Sequence, residues 1–127
     1  MTARQITTAD APAAIGPYSQ ALVSGKLLFC SGQLGLEPGT GTLVSDDVEE
    51  QTERCILNME AILKSAGFSL EDVVKTTIFL TDMSNFDKVN RVYSLHFGSR
   101  RPARSTVGVA SLPRKALVEI EAVAVQE

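Results

Sequence analysis

The sequence predicts an α+β fold, a mixed β-sheet covered on one face by two helices. Three observations lead there. Extended and helical segments follow one another as β-β-α-β-α-β-β, too few alternations for a doubly wound parallel sheet. Two segments repeat apolar residues at spacings of three and four, so each has one face to bury. The last extended run alternates, with Val118, Ile120, Ala122 and Ala124 on the side that would meet those helices. At 127 residues the chain has the size of one domain, 1–127. Such a domain buries roughly two-thirds of the surface its unfolded chain exposes.

The elements follow in order. A segment through Thr8 precedes Asp10-Ala11-Pro12-Ala13-Ala14-Ile15-Gly16-Pro17, which is irregular because proline removes a donor and restricts its predecessor. Extended runs at 18–23 and 27–34 flank Ser24-Gly25-Lys26, a hairpin signal. The stretch from Glu37 to Thr42, rich in Gly and Thr, is a loop. Asp46 or Asp47 then caps a first helix, and Glu49 and Glu50 complement the positive end of its dipole. Its buried stripe is Val48, Thr52, Cys55, Met59, Ile62 and Ala66, and Gly67 stops it. After a capped turn at Ser69-Leu70-Glu71-Asp72, residues 73–80 form a strand rich in β-branched side chains. Asp82 or Ser84 opens a second helix with Phe86, Val89, Tyr93 and Phe97 inward, ended by Gly98-Ser99. The final runs, about 103–109 and 115–125, flank Leu112-Pro113-Arg114 and are expected to pair with each other.

Composition removes several classes of function. The chain is 44% hydrophobic and 21% charged with a net charge of −3, an ordinary soluble composition without the basic footprint that phosphate contacts need. Arg100, Arg101 and Arg104 cluster, but they make a weak patch on an acidic chain. No apolar run reaches about 18 residues and the N-terminus lacks a signal-peptide layout, so a cytoplasmic chain with no membrane or nucleic-acid partner is expected. Cys30, Cys55 and the single His96 form no zinc-binding pattern, and no metal is expected. His96 reads as a partly exposed helix residue and Cys55 as core. Gly32 and Gly35 lack the spacing of a dinucleotide or phosphate loop.

The charges in the last quarter are more telling. Arg104 lies in Arg101-Pro102-Ala103-Arg104-Ser105-Thr106-Val107, and Glu119 and Glu121 lie in Leu117-Val118-Glu119-Ile120-Glu121-Ala122-Val123. Charges kept among apolar residues need partners. If the two runs pair, arginine and carboxylate can meet, and the planar fork of the arginine matches the carboxylate of a small organic acid. By strand parity Arg104 and Thr106 share one face, expected to be the side of Glu119, away from the helices. That opposite face also carries Leu117, Val123 and Val125, too apolar for open water, and points to a subunit contact with the pocket at the interface. From the residues alone, two readings of Arg104 stay open: a carboxylate clamp, or a structural ion pair with Glu119 or Glu121.

Motifs spread along the chain add a family. Ala13-Ala14-Ile15-Gly16-Pro17-Tyr18-Ser19-Gln20, Ser31-Gly32-Gln33, Val74-Lys75-Thr76-Thr77, Val89-Asn90, Pro102-Ala103-Arg104-Ser105 and Glu119-Ile120-Glu121-Ala122-Val123-Ala124 occur in order. Together they resemble the RidA (YjgF) family of reactive-intermediate imine/enamine deaminases nearly end to end. The resemblance implies a chorismate-mutase-like homotrimer whose sheets form a central barrel, with ligand sites in the clefts between subunits. It implies hydrolysis of enamine and imine acids such as 2-aminoacrylate and 2-aminocrotonate to 2-oxo acids and ammonia, without metal or organic cofactor. Matched position by position, Arg104 is the carboxylate-binding arginine and Glu119 the group that orients water or shuttles a proton. Tyr18, Ser31, Gly32, Asn90 and Thr106 line the pocket, with backbone amides near Ser31 and Gly32 assisting and Tyr18 contributed by a neighbouring subunit. Two features depart from the family pattern. Thr106 stands where many deaminating members carry cysteine, and the connection Gly98-Ser99-Arg100-Arg101 is shorter and brings two extra cations.

Other functions remain compatible with these residues. A non-catalytic trimer that binds small carboxylic acids or other proteins would keep Arg104 as well. A ribonuclease or translation inhibitor is a third reading, against which stand the acidic charge and the lack of a histidine pair.

Overall fold

The computed structural model describes residues 2–127, and its strands form a six-stranded sheet in the order β1-β2-β3-β6-β4-β5. The strands are β1 (Arg4–Ile6), β2 (Ala21–Ser24), β3 (Leu27–Leu34), β4 (Val73–Leu80), β5 (Ala103–Gly108) and β6 (Val118–Val125). Helices α1 (Val48–Ser65) and α2 (Phe86–Phe97) cover one face. This is the expected α+β class. The short β1, for which the segment through Thr8 gives no strand signal, pairs with β2.

The expected pairing of the last two runs does not form. β6 lies between β3 and β4, antiparallel to both, whereas β5 pairs only with β4, in parallel. α2 is therefore the crossover of a β4-α2-β5 unit, as parallel neighbours require. Burial explains the arrangement. Val118, Ile120 and Ala124 of β6 are fully buried, so β6 belongs at the centre. β5 carries Arg104 and alternates between half-buried and exposed residues, a composition suited to an edge.

The core lies between sheet and helices. Val48, Thr52, Cys55, Met59 and Ile62 of α1 are buried as the periodicity predicts, and Ala66 packs at the margin. Asp47 is the cap, its carboxylate accepting from the Glu50 amide at 2.9 Å, and Gly67 follows at φ +82°. Asp82 caps the single turn ahead of α2 rather than α2 itself, accepting from the Ser84 amide. Val89, Tyr93 and Phe97 are buried, and Phe86 is half-buried. Cys55 is fully buried, and burial pushes the Cys30 thiol up to about 12. His96 is partly exposed and bonds Glu53 at 2.7 Å, tying α2 to α1. Among the described residues no helix is long and apolar enough to cross a membrane.

Candidate functional site

One cleft, of about 600 Å³, lies on the sheet face away from the helices and brings together Tyr18, Ser31, Gly32, Glu119, Glu121 and Arg114. A β-bulge shapes its floor. Cys30 pairs with Ala122 and Gln33 with Ile120, so β3 has one residue more than β6 at Ser31-Gly32. The bulge lets the loop 7–20 dock on β3. Ser31 donates its hydroxyl to the Ser19 carbonyl at 2.6 Å and its amide to the Gln20 carbonyl at 3.0 Å. Gln20 holds the loop from inside. Its buried amide accepts from the Thr8 amide and donates to the Thr8 and Pro12 carbonyls. Tyr18 stands at the rim, 54% exposed, its hydroxyl 3.4 Å from the Ile15 amide.

Glu119 lies directly over Gly32. A Cβ on Gly32 would fall 2.6 Å from Glu119 Oε2, so the missing side chain is what makes room for the carboxylate. Burial first, and the nearby Glu121 second, push the Glu119 carboxyl above its usual range. A carboxylate shifted in that direction holds a proton more readily than an exposed one.

The second cluster sits at the β5 edge, on the helix side. Arg104 pairs in register with Thr76, which pairs with the buried, helix-facing Ala122. Its guanidinium carbon stands 4.9 Å from the Tyr93 ring centroid and 5.7 Å from that of Phe86. Asn90, Tyr93, Phe97, Pro102 and Arg104 line a cleft of about 420 Å³ there. Thr106 lies two residues along the same face, and its buried hydroxyl has no hydrogen-bond partner.

Two expectations are therefore corrected. Arg104 faces the helices, not the side of Glu119, because β4 intervenes and the register puts Arg104 level with a helix-facing residue. Nor does Arg104 form an ion pair with Glu119 or Glu121. The salt bridges among the described residues are Arg91–Glu49 and His96–Glu53. The expected site residues fall into two groups: Tyr18, Ser31, Gly32 and Glu119 in one cleft, Arg104, Asn90 and Thr106 at the other edge. The Ser31 amide is already bound to the Gln20 carbonyl.

Gln20, Tyr93 and Arg114 were not singled out from sequence. A buried glutamine facing three backbone groups has no sequence signal, and Tyr93 looked like any inward helix residue. Arg114 has left-handed backbone (φ 61°) and donates to the Gly41 carbonyl at 2.8 Å. Such a conformation in a non-glycine residue is rare.

Comparison with known proteins is consistent along the whole chain. The family model described as endoribonuclease L-PSP matches residues 8–126. The human 2-iminobutanoate/2-iminopropanoate deaminase is 48% identical over 123 residues, covering 97% of this chain and 90% of its own. A solved structure of a Thermotoga maritima protein described as a putative endoribonuclease superposes with TM-score 0.95 at 56% identity, covering 98% of each chain. Escherichia coli TdcF, solved with bound serine, gives TM-score 0.93 at 41% identity, covering 98% of this chain and 99% of its own.

Proposed function

The chain belongs to the RidA family, whose model is described as endoribonuclease L-PSP, and from that premise we propose that it hydrolyses small enamine and imine acids, such as 2-aminoacrylate and 2-aminocrotonate, to 2-oxo acids and ammonia. The observation that carries the reading is the state of Arg104: a half-buried guanidinium with no carboxylate partner among the described residues, beside a buried hydroxyl with no partner there either. Unpaired groups of that kind are costly unless a ligand completes them. The human relative's name describes an imine deaminase, and the serine found on TdcF carries a carboxylate such a guanidinium would hold.

In this mechanism Arg104 grips the substrate carboxylate through two parallel N–H···O bonds. The enamine takes a proton from solvent at its β-carbon and becomes the protonated imine. Water then adds to the imine carbon as Glu119 accepts a proton from it, giving a tetrahedral carbinolamine. Glu119 returns the proton to nitrogen, the C–N bond breaks and ammonia leaves, while the hydroxyl gives up its proton to solvent and becomes the carbonyl of the 2-oxo acid. Asn90 and Thr106 contact the substrate beside Arg104. Gly32, Ser31 and Tyr18 line the opposite wall.

The two walls come from different subunits of a homotrimer, because in one chain they lie on opposite faces of the sheet. Complementation tests this. Arg104→Ala and Glu119→Gln chains, each strongly impaired alone, are mixed, unfolded and refolded together. About a quarter of the sites then combine an intact Arg104 with an intact Glu119, and clearance of 2-aminoacrylate, generated by a serine dehydratase, returns to that level. No recovery in properly assembled mixtures would refute the shared site, and no clearance by the wild-type protein would refute the deaminase reading. The endoribonuclease description favours RNA cleavage as a second reading. The net charge of −3 and the only histidine, bound to Glu53 and lining neither cleft, weigh against it.

A further inference from the structure

Among the described residues Arg104 has no counter-ion. Two aromatic rings stand close to it, Tyr93 and Phe86, at 4.9 Å and 5.7 Å from its guanidinium carbon. An aromatic ring attracts the cation through its π-face. A carboxylate partner would instead occupy the in-plane N–H fork. A stacked arginine is thus oriented while its donors stay free for a ligand.

Of the two rings, Tyr93 is the better fixed. It is 7% exposed, and its hydroxyl meets the fully buried Thr76 hydroxyl at 2.7 Å. Its ring packs against Phe97 at a centroid distance of 4.6 Å. Thr76 is the register partner of Arg104 on β4. The residue beside the arginine across the strand pair thus supplies the hydroxyl that locks the ring. Burial raises the Tyr93 phenol above its usual value.

We propose that Tyr93, locked by Thr76, is a positioning residue that presents the Arg104 fork to the substrate carboxylate. The proposal rests on the carboxylate-clamp reading of Arg104 and assigns the orientation of that clamp to an aromatic shelf rather than to an ion pair.

The test measures binding of pyruvate, a product-like carboxylate, by calorimetry, together with kcat and KM for 2-aminoacrylate. Tyr93→Leu removes the shelf. It should weaken pyruvate about three- to thirtyfold and raise KM by a similar factor, with kcat falling less. The double variant Tyr93→Phe with Thr76→Val keeps the ring and removes both hydroxyls together, so no orphaned donor remains. It should recover affinity to within about threefold of wild type. Arg104→Ala separates the two hypotheses. If it binds pyruvate as wild type does, the clamp itself is wrong. If it loses binding while a folded Tyr93→Leu does not, the clamp stands and the positioning role is refuted. Equal loss in Tyr93→Leu and the double variant would also refute it, by assigning the effect to the hydroxyls. Should Tyr93→Leu fail to fold, NMR of the wild-type protein decides. Ring-current-shifted, ordered Arg104 side-chain resonances support the shelf, and a freely rotating guanidinium overturns it.

Discussion

Gly32→Ala changes one hydrogen into a methyl group and should disable the proposed acid-base group without harming the fold. The added Cβ would stand 2.6 Å from Glu119 Oε2, 2.7 Å from Cδ and 3.0 Å from Cγ. Ordinary contact begins near ~3.5 Å, so the carboxylate must retreat by about 1 Å. The backbone does not resist the change, since Gly32 is outside the set of residues with positive φ. The obstruction is the far end of a flexible side chain, which can swing away. Stability should therefore change by less than about 1 kcal/mol, whereas a 1 Å misplacement of a catalytic group costs on the order of 10²-fold in rate. The assay couples a serine dehydratase to the protein and follows decay of 2-aminoacrylate, with thermal melts run alongside. An alanine variant that melts like wild type and keeps kcat within about twofold would show that the position of Glu119 does not matter to turnover.

Arg104→Ala should lower kcat/KM about ten- to a few hundredfold, the size of a lost charge-assisted bond, and Arg104→Lys should recover little because a lysine lacks the fork; steady-state kinetics decide both. Glu119→Gln should lose on the order of 10²-fold in rate at neutral pH. Because the folded-state pKa of Glu119 is raised, its ionisation opposes folding as pH climbs above the unfolded-state value near ~4.3. The glutamine variant should therefore gain thermal stability relative to wild type between acidic and neutral pH, a gain absent at low pH where both side chains are neutral. Thr106→Val removes a buried hydroxyl that has no partner and should raise stability by about 1 kcal/mol while keeping most of kcat, as judged by melts and kinetics. Light scattering coupled to size exclusion should give the mass of a trimer at micromolar concentration.

The helices and most strands were legible because their signals are local: an Asp47 cap, a stripe from Val48 to Ile62, a Gly67 stop, alternation in β6. The pairing of β5 was not legible, because strand order is decided by which strand buries most area. Adjacency in sequence favoured β5 beside β6, but the charged, half-exposed β5 yields the centre to β6. That one error carried the side assigned to Arg104 with it. Parity correctly put Arg104 and Thr106 on a common face, yet parity cannot say which face it is without the register. The bulge at Ser31-Gly32 has the same character, being visible only once β3 and β6 are aligned. The residues of the candidate site were thus recognisable one by one, and their division between two clefts was not.

That division and the apolar face have a common explanation. Leu22, Leu27, Phe29 and Val107 are 38%, 38%, 46% and 42% exposed, and the register puts them on the sheet face opposite the helices. A monomer would present that surface to water at a cost of about 25 cal/mol for each Å² of apolar area that could be covered. It would also keep Arg104 and Glu119 on opposite sides of the sheet. Packing the open faces of three chains around an axis would cover the apolar patch and set the β5 edge of one chain against the Glu119 cleft of the next. Substitutions on the open face, at residues that line neither cleft, should then affect stability and turnover together. Phe29→Glu puts a charge in that face without touching Arg104 or Glu119, and it should yield monomers that have lost activity. Monomeric Phe29→Glu protein with full turnover would mean that one chain suffices, and the split arrangement would no longer account for the site.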